Sequence, residues 1–354
     1  MTSVCVVVPN YNYGRFLQTC LASALSQQGV DVRVLLIDNS SSDDSVAVAD
    51  AIAAADPRLT VRRRSVNEGL IASLNEGLRW ALNTGSDLTM TLSSDDAVAP
   101  GALARAAAVF NQRPEVGLVH GRVSLLFDDD APPPPIRPLR TRTTVEDGQR
   151  FVERICARGS NPLFDPEVVL RTSLYHEVGF YNPGLPHTSD LEMWLRAGVR
   201  TRVARIHGGD QAYYRIHANQ HSRDYMDDAL PDLRACQAAY ESFLDTAVGG
   251  SEQSRLKEVA YRGLARHALR ICIRAYERGT SERLRIDDIV AFARSLEPLA
   301  DHLPEMRALT RRRRMSPSQA RAMRLLDVEA AAEALRFRAS RSRRGRTRGM
   351  TGTH

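Results

Sequence analysis

The most constraining feature of this 354-residue chain is a series of short, apolar, β-branched runs near its amino terminus. The first run, residues 4–9, has no polar alternation, and this predicts a strand buried on both faces, as in parallel sheets. Residues 32–37 repeat the pattern, and residues 59–63, 88–92 and 116–126 are further predicted strands. Several strands that all need burial on both faces predict a central sheet.

Apolar residues recur with helical spacing between these strands. The spacing predicts helices over residues 16–26, 44–55, 67–82 and 101–110. Strands that alternate with helices in this way predict an α/β fold with a doubly wound, mostly parallel sheet. Ligands of such sheets bind in the crevice at the carboxyl ends of the strands.

Changes in composition divide the chain. Residues 1–127 form the first half of the predicted sheet domain, and residues 128–138, with three aspartates and four consecutive prolines, predict a surface loop. Residues 139–223 return to mixed α/β character and complete a domain spanning residues 1–223. Residues 224–335, rich in Ala, Leu, Arg and Glu, predict a helical region, and the Arg-rich residues 336–354 predict a disordered tail.

Charge follows the same division. The net charge of +6 combines 30 acidic and 24 basic residues up to position 250 with 12 acidic and 24 basic residues after it. The first part is therefore mildly acidic, and the basic character belongs to the last third. The Arg-rich tail leaves open a contact with an anionic membrane surface or with nucleic acid. The C-terminal helices leave open a homo-oligomer.

The cysteines and the amino terminus indicate a cellular location. Five cysteines without CxxC spacing favour neither a disulfide framework nor a zinc site. The first residues carry no basic segment and too short an apolar core for a signal peptide, and no apolar run approaches the roughly 20 residues of a spanning helix. We expect a cytoplasmic protein, with peripheral association at the inner membrane face left open.

Polar side chains follow three of the predicted strands. Asp95 and Asp96 are adjacent carboxylates at one strand end, Asp38 ends another, and the polar residues 10–13 follow the first strand. Neighbouring side chains of an extended backbone point to opposite sides, so one aspartate can bind a metal ion while the other contacts a sugar or a ligand water. Mg²⁺ is often held by one or two carboxylates plus substrate phosphates. Each residue alone is also compatible with ordinary turn or capping chemistry.

Two later segments add candidates. Asp190 and Glu192 precede an apolar stretch, where a carboxylate either complements a helix dipole or acts as a general base. His217 and His221 are candidates for a metal ligand and for an acceptor or phosphate contact, although an isolated histidine is more often simply hydrogen-bonded. Tyr11 and Tyr13 are candidates for stacking on a base.

Taken together and in order over about residues 3–222, these motifs resemble those of family 2 glycosyltransferases of the GT-A fold, which are inverting, usually metal-dependent enzymes that use nucleotide sugars. The motifs are Pro9-Asn10-Tyr11-Asn12, Asp38-Asn39-Ser40, Asn67-x-Gly69 with Asn75, Ser94-Asp95-Asp96 with Pro100 and Gly101, Val169-Leu170-Arg171 with Val178-Gly179-Phe180, Asp190-x-Glu192-x-Trp194-Leu195-Arg196, and Tyr214-Arg215-x-His217 with Ser222.

The resemblance implies roles for these positions. Asp190 would be the general base, and Asp96, with His217, would hold Mn²⁺ or Mg²⁺. The nucleotide sugar would contact Pro9, Asn10, Tyr11, Asp38, Asn67, Asn75 and Asp95. The acceptor would lie near His187, Glu192, Trp194 and His221. The resemblance thus divides the domain into a nucleotide-sugar-binding half, residues 1–127, and an acceptor and catalytic half, residues 139–223.

Three departures from the family pattern weaken parts of this assignment. Ser93 replaces an acidic residue often found two places before Asp95, Asn39 replaces a second aspartate, and Ser189 replaces the glutamate that usually precedes the base. Alternatives therefore stay open: a catalytically idle module that binds a nucleotide sugar or a partner, and a nucleotidyltransferase, although the loop after the first strand lacks the glycine-rich, basic character of such enzymes. The donor base, the sugar and the acceptor (glycan, lipid carrier, natural product or polypeptide) are also open.

Overall fold

The computed structural model of the chain describes residues 1–127, 141–217, 220 and 228–323. Within these residues nine strands form one sheet in the order β3-β2-β1-β4-β8-β6-β9-β5, with β7 paired to β9. The strands are β1 (Ser3–Asn10), β2 (Asp31–Asp38), β3 (Leu59–Arg63), β4 (Leu88–Thr91), β5 (Ala97–Val98), β6 (Val116–Phe127), β7 (Arg142–Glu146), β8 (Val169–Arg171) and β9 (Arg202–Ile216).

The first four strands of this order, β3-β2-β1-β4, are all parallel. Strand β1 is buried along its length because β2 and β4 flank it and helices cover its faces, which explains its unbroken apolar sequence. In the parallel register, Asn10 at the end of β1 lies opposite Asp38 at the end of β2. The two motif residues therefore meet at the carboxyl edge of the sheet.

The other half of the sheet is mixed. Strand β8 pairs antiparallel with both β4 and β6, and β6 runs parallel to the long strand β9. The two-residue strand β5 pairs antiparallel with β9, joining Ala97 and Val98 to Tyr213 and Ala212. This pairing brings the Asp95-Asp96 loop, just before β5, to the end of β9.

Helices surround the sheet. They are α1 (Gly14–Leu25), α2 (Ser45–Ala55), α3 (Leu70–Asn83), α4 (Ala102–Gln112), α5 (Gly148–Arg158), α6 (Tyr175–Val178) and α7 (Ser189–Gly198). Helix α3 packs closely on β1, because a Cβ at Gly77 would overlap the Val7 side chain. The sequence predicted this helix from residue 67, but it begins at Leu70 because Gly69 has a positive φ of 88° and turns the chain before the helix.

The described residues after position 228 are helical. They form α8 (Ala229–Ala247), α9 (Gly250–Arg278), α10 (Ile286–Leu296), α11 (Pro304–Arg313) and α12 (Pro317–Met323). In this part of the chain several arginines form ion pairs with carboxylates, including the buried pair Arg312–Glu277 at 2.8 Å and the Arg266–Glu305 pair, also at 2.8 Å. Part of the basic charge in the last third is therefore neutralised within the fold.

The chain divides into two compact units. The first comprises Met1–Ile155, Asn161–His221 and Ala238–Lys257, and the second Cys156–Ser160, Ser222–Gln237 and Glu258–His354. No helix among the described residues is long and apolar enough to cross a membrane. The predicted loop at 128–138 and the Arg-rich tail at 336–354 lie outside the described residues.

The prediction of an α/β fold with a doubly wound, mostly parallel sheet and a helical C-terminal region is confirmed. Each of the five predicted strands is present with bounds that differ by no more than one residue. The antiparallel strand β8, inserted between β4 and β6, was not foreseen, because three residues carry too little periodicity to be recognised.

Candidate active site

The Asp95-Asp96 pair lies in a tight loop between β4 and β5. The Asp96 N–H donates to the Ser93 carbonyl (2.9 Å), which closes the loop. Arg215, at the end of β9, fixes the pair from the other side: its backbone N–H donates to Asp96 Oδ1 (2.8 Å) and its Nε to the Asp95 carbonyl (2.8 Å). Sequence analysis assigned no role to Arg215, which holds this loop in place.

Asp96 is a buried carboxylate, and only one of its two oxygens has a hydrogen-bond partner among the described residues. Its exposed fraction is 1%, and its Oδ2 makes no hydrogen bond with the described residues. Burial, followed by the charge of neighbouring Asp95, raises the pKa of Asp96 well above its usual range. A carboxylate in such a place is unfavourable alone and becomes favourable when a cation approaches the free oxygen.

His217 completes this group. Its Nε2 lies 3.0 Å from Asp95 Oδ2, and its ring packs against Tyr13 and Phe16, with ring centroids 5.3 and 4.9 Å away. The buried Nδ1 of His217 has no hydrogen-bond partner among the described residues. Two buried atoms able to bind a metal, Asp96 Oδ2 and His217 Nδ1, are therefore unsatisfied.

Each of these atoms could contribute one ligand to a divalent cation that takes its other ligands from a substrate. No cluster of three or more His, Cys, Asp or Glu side chains able to hold an ion occurs in residues 1–127, 141–217, 220 and 228–323. Mg²⁺ and similar ions commonly use one or two carboxylates and complete their shell with phosphate oxygens and water. The residues present fit that kind of site and do not form an all-protein cage.

Asp38 is held by a dense hydrogen-bond cluster. Its Oδ1 accepts from Asn10 Nδ2 (2.8 Å) and Ser41 Oγ (2.6 Å), and its Oδ2 accepts from the Ser41 N–H (3.0 Å). With 2% of its surface exposed, Asp38 braces the ends of β1 and β2. Nearby Tyr11 is 47% exposed, and Pro9 lies buried within β1.

Asn67 of the Asn-x-Gly segment and the later Asn75 have different surroundings. Asn67 Oδ1 accepts from Asn39 Nδ2 (2.6 Å) and from the Gly69 N–H (2.9 Å), so Asn67 stays in the loop beside β2. Asn75, on α3, uses both sides of its amide on the backbone of Tyr181: it donates to the carbonyl (2.8 Å) and accepts from the N–H (2.9 Å). Asn75 therefore ties α3 to the segment before α7.

Asp190 is the second residue of α7. Its Oδ1 accepts from the Leu191 N–H (2.7 Å), and its Oδ2 accepts from Asn161 Nδ2 (2.6 Å). Burial raises the pKa of Asp190 to about 6; the hydrogen bonds from Leu191 and Asn161 and the charge of His187 act in the opposite direction. A carboxylate with a pKa near 6 is ionised at neutral pH and still basic enough to accept a proton.

Asp165 is an acidic residue that sequence analysis missed. It opens a short 3₁₀ turn, Asp165–Glu167, before β8, and its Oδ1 is buried without a hydrogen-bond partner in the described chain. Burial, and then the charge of Asp190, raises the pKa of Asp165 well above its usual range; the charge of Asp165 in turn contributes to the raised pKa of Asp96. Asp165 therefore couples electrostatically to both motif carboxylates. No spacing pattern in the sequence indicates this electrostatic coupling.

The residues expected near an acceptor differ in accessibility. Glu192 is 2% exposed and forms a doubly hydrogen-bonded pair with Arg196 (2.7 Å for both contacts), and Trp194 is buried. Both are therefore interior residues of α7, with almost no surface to offer an acceptor. His187 is partly exposed and acts on Asp190 through its charge. His221 and Ser222 lie outside the described residues.

Comparison with known proteins relates the first part of the chain to a described family. Residues 5–168 match the family model described as glycosyl transferase family 2. An uncharacterized protein of Mycobacterium tuberculosis is 29% identical over 232 residues, which cover 58% of this chain and 64% of the relative. An uncharacterized glycosyltransferase of Nostoc sp. is 30% identical over 117 residues, 33% of this chain and 35% of the relative. The chain therefore spans less than two thirds of each of these relatives.

Solved structures agree on the fold. TarS of S. aureus in complex with UDP-GlcNAc matches with a TM-score of 0.60 at 15% identity, covering 86% of this chain and 84% of that one. The same protein in complex with UDP matches with a TM-score of 0.57 at 16% identity, with 86% and 83% covered. At these identities the likeness concerns the fold, which is of the GT-A type. The family model, the relatives, this fold and the motif carboxylates at one edge of the sheet together show that residues 5–168 are similar to glycosyl transferase family 2.

Proposed function

We propose that this protein transfers a glycosyl group from a nucleotide-diphosphate sugar to an acceptor nucleophile, with inversion at the anomeric carbon. The observation that carries the proposal is that two carboxylates, Asp96 and Asp190, have different surroundings suited to different roles. Asp96 is buried with one oxygen unsatisfied, as a cation ligand would be, whereas Asp190 has a pKa of about 6, as a general base would have.

In this proposal Asp190 removes the proton of the acceptor hydroxyl. The acceptor oxygen forms a bond to the anomeric carbon as the bond from that carbon to the phosphate oxygen breaks. The nucleoside diphosphate leaves with the electron pair, and the proton stays on Asp190. Asp190 is partly exposed at the start of α7, as a residue that meets a substrate would be. A single displacement of this kind inverts the configuration.

The donor would bind along the carboxyl edge of the first four strands. The exposed ring of Tyr11 is available for stacking on a base, and the hydrogen-bonded pair Asn10–Asp38 precedes it at the same edge of the sheet. Asp96 and His217 would hold Mn²⁺ or Mg²⁺, which when bound neutralises the charge that develops on a leaving diphosphate. Asp95, linked to His217, would face the ribose or the sugar.

Donor binding and donor consumption test the proposal. Because TarS was solved with UDP and UDP-GlcNAc, uridine nucleotides are the first candidates for a thermal-shift screen with Mn²⁺, followed by other nucleoside diphosphates and their sugars. A donor that stabilises the protein should also be slowly hydrolysed when water replaces the acceptor. Stabilisation without hydrolysis, and without transfer to glycan, lipid-carrier, natural-product or polypeptide acceptors, would favour a catalytically idle binding module.

A further inference from the structure

Asn161 is a half-buried residue whose amide contacts the proposed base from outside the family motifs. It lies between α5 and the 3₁₀ turn at Asp165, and its Nδ2 donates to Asp190 Oδ2 across 2.6 Å. Its Oδ1 accepts from the Leu163 N–H (3.1 Å). Because Leu163 requires the carbonyl oxygen, the amide can only present its NH₂ group to Asp190.

The surroundings of Asp190 disfavour its charge. Burial is the largest influence, and Asp165 on the 3₁₀ turn and the phenol of Tyr181 add groups whose ionised forms would repel it. Four groups favour the charge: the Leu191 N–H, the side chain of His187, the Asn161 amide and the backbone N–H of Asp190 itself. Of these, Asn161 supplies a side-chain hydrogen bond to the oxygen that Leu191 leaves free.

We propose that Asn161 is a positioning residue for glycosyl transfer: its amide holds the Asp190 carboxylate in its ionised form and fixed in orientation. This rests on the proposed role of Asp190 as the base. A hydrogen bond to the charged form of an acid favours that form, so the proton affinity of Asp190 depends on Asn161. A fixed orientation leaves the remaining lone pairs of Asp190 in a constant position from which to accept a proton.

Two substitutions separate this role from a purely structural one. Asn161→Asp keeps the size of the side chain and its acceptor for the Leu163 N–H, so the local turn is retained, but it replaces the donor with a second carboxylate. Asn161→Ala removes both contacts. The matched control is Asn182→Ala, because Asn182 makes the same local bond, from the Gly184 N–H (2.9 Å), and donates to Ser242 Oγ (3.0 Å) instead of to a catalytic group.

The primary measurement is a ¹³C carboxyl NMR titration of the full chain labelled at aspartate. The Asp190 signal is identified by its loss in Asp190→Asn. We expect the midpoint of Asp190 to rise by about one pH unit in Asn161→Ala and by more in Asn161→Asp, where two carboxyls share a proton. Asn182→Ala should leave it unchanged. Hydrolysis of UDP-GlcNAc with Mn²⁺, if the chain accepts this donor, should show the same shifts in its acid limb.

Two results would overturn the inference: an Asp190 midpoint that is unchanged in folded Asn161→Asp, or an equal shift in Asn182→Ala. The titration needs no substrate, so it separates this inference from the proposed function. Full activity of Asp190→Asn would contradict the assignment of Asp190 as the base. Unchanged midpoints in the Asn161 variants would contradict only the positioning role of Asn161.

Discussion

Replacing Asp96 with asparagine should make the metal-free protein more stable. The carbonyl of the new amide can still accept from the Arg215 N–H, and the substitution removes a buried carboxylate whose Oδ2 has no partner in the described residues. The wild-type residue carries a raised pKa, so its contribution to folding is fully present below the ordinary pKa and is lost as the pH rises towards the raised one. The advantage of Asp96→Asn should therefore grow with pH.

The size of the effect follows from two opposing contributions. Between the ordinary and the raised pKa, the wild type loses up to about 1.4 kcal/mol of stability per pH unit relative to the variant. The new amide NH₂ would be buried without an acceptor, which costs about 1–3 kcal/mol. We expect a net gain of about 1–3 kcal/mol at pH 8, which corresponds to about 2–12 °C in Tm for a unit of this size.

Thermal unfolding by circular dichroism, in EDTA and in Mn²⁺, measures this effect. In EDTA at pH 8 the variant should melt higher than the wild type, and the difference should shrink at pH 6. Saturating Mn²⁺ should raise the Tm of the wild type and leave that of the variant unchanged. At a Mn²⁺ concentration of one hundred times the Kd, the free energy of unfolding of the wild type should rise by about 2.7 kcal/mol. Asp38→Asn is the matched control: both of its oxygens are bonded, so it should lose stability instead.

Two outcomes would refute this reasoning about Asp96. One is a variant that is less stable than the wild type in EDTA at pH 8. The other is an equal response of the two proteins to Mn²⁺, which would mean that Asp96 does not contribute to cation binding.

Three further predictions follow from the site. Excess EDTA should suppress donor consumption and Mn²⁺ or Mg²⁺ should restore it; rates unchanged by the chelator would contradict a functional cation. The activity should fall about tenfold per pH unit below a midpoint near 6, as Asp190 becomes protonated, and a pH–rate profile flat down to pH 5 would exclude this group as the base. Arg196→Leu should cost about 3–5 kcal/mol in urea unfolding, because it leaves Glu192 buried without its partner; a loss below about 1 kcal/mol would show that the pair is dispensable.

Much of the sheet could be predicted because its strands have little conformational choice. An apolar, β-branched run such as residues 4–9 can satisfy both its backbone and its side chains only in the interior of a sheet. The polar residues that follow it, beginning with Asn10, mark the edge where the chain leaves that interior. The positions of Asp38, Asp95 and Asp96 at one edge of the sheet follow from the same reasoning.

The parts that were missed depend on contacts between distant segments. Asn161 reaches Asp190 across 29 positions, and Asn75 meets the backbone of Tyr181 across 106, so no local spacing encodes either pair. Glu192 is a different case, because Arg196 lies four residues later on the same helix and that spacing is itself a signal for an ion pair. Its burial, however, depends on how α7 packs in the folded chain.

The most direct test of the central claim is a kinetic comparison of the wild type with Asp190→Asn, using whichever nucleotide sugar the thermal-shift screen identifies. We predict that the variant binds this donor with nearly unchanged affinity and consumes it about 10²–10⁴ times more slowly, because it lacks the group that accepts the proton. Near-normal turnover in Asp190→Asn would contradict the proposal that this chain transfers sugars with Asp190 as its base.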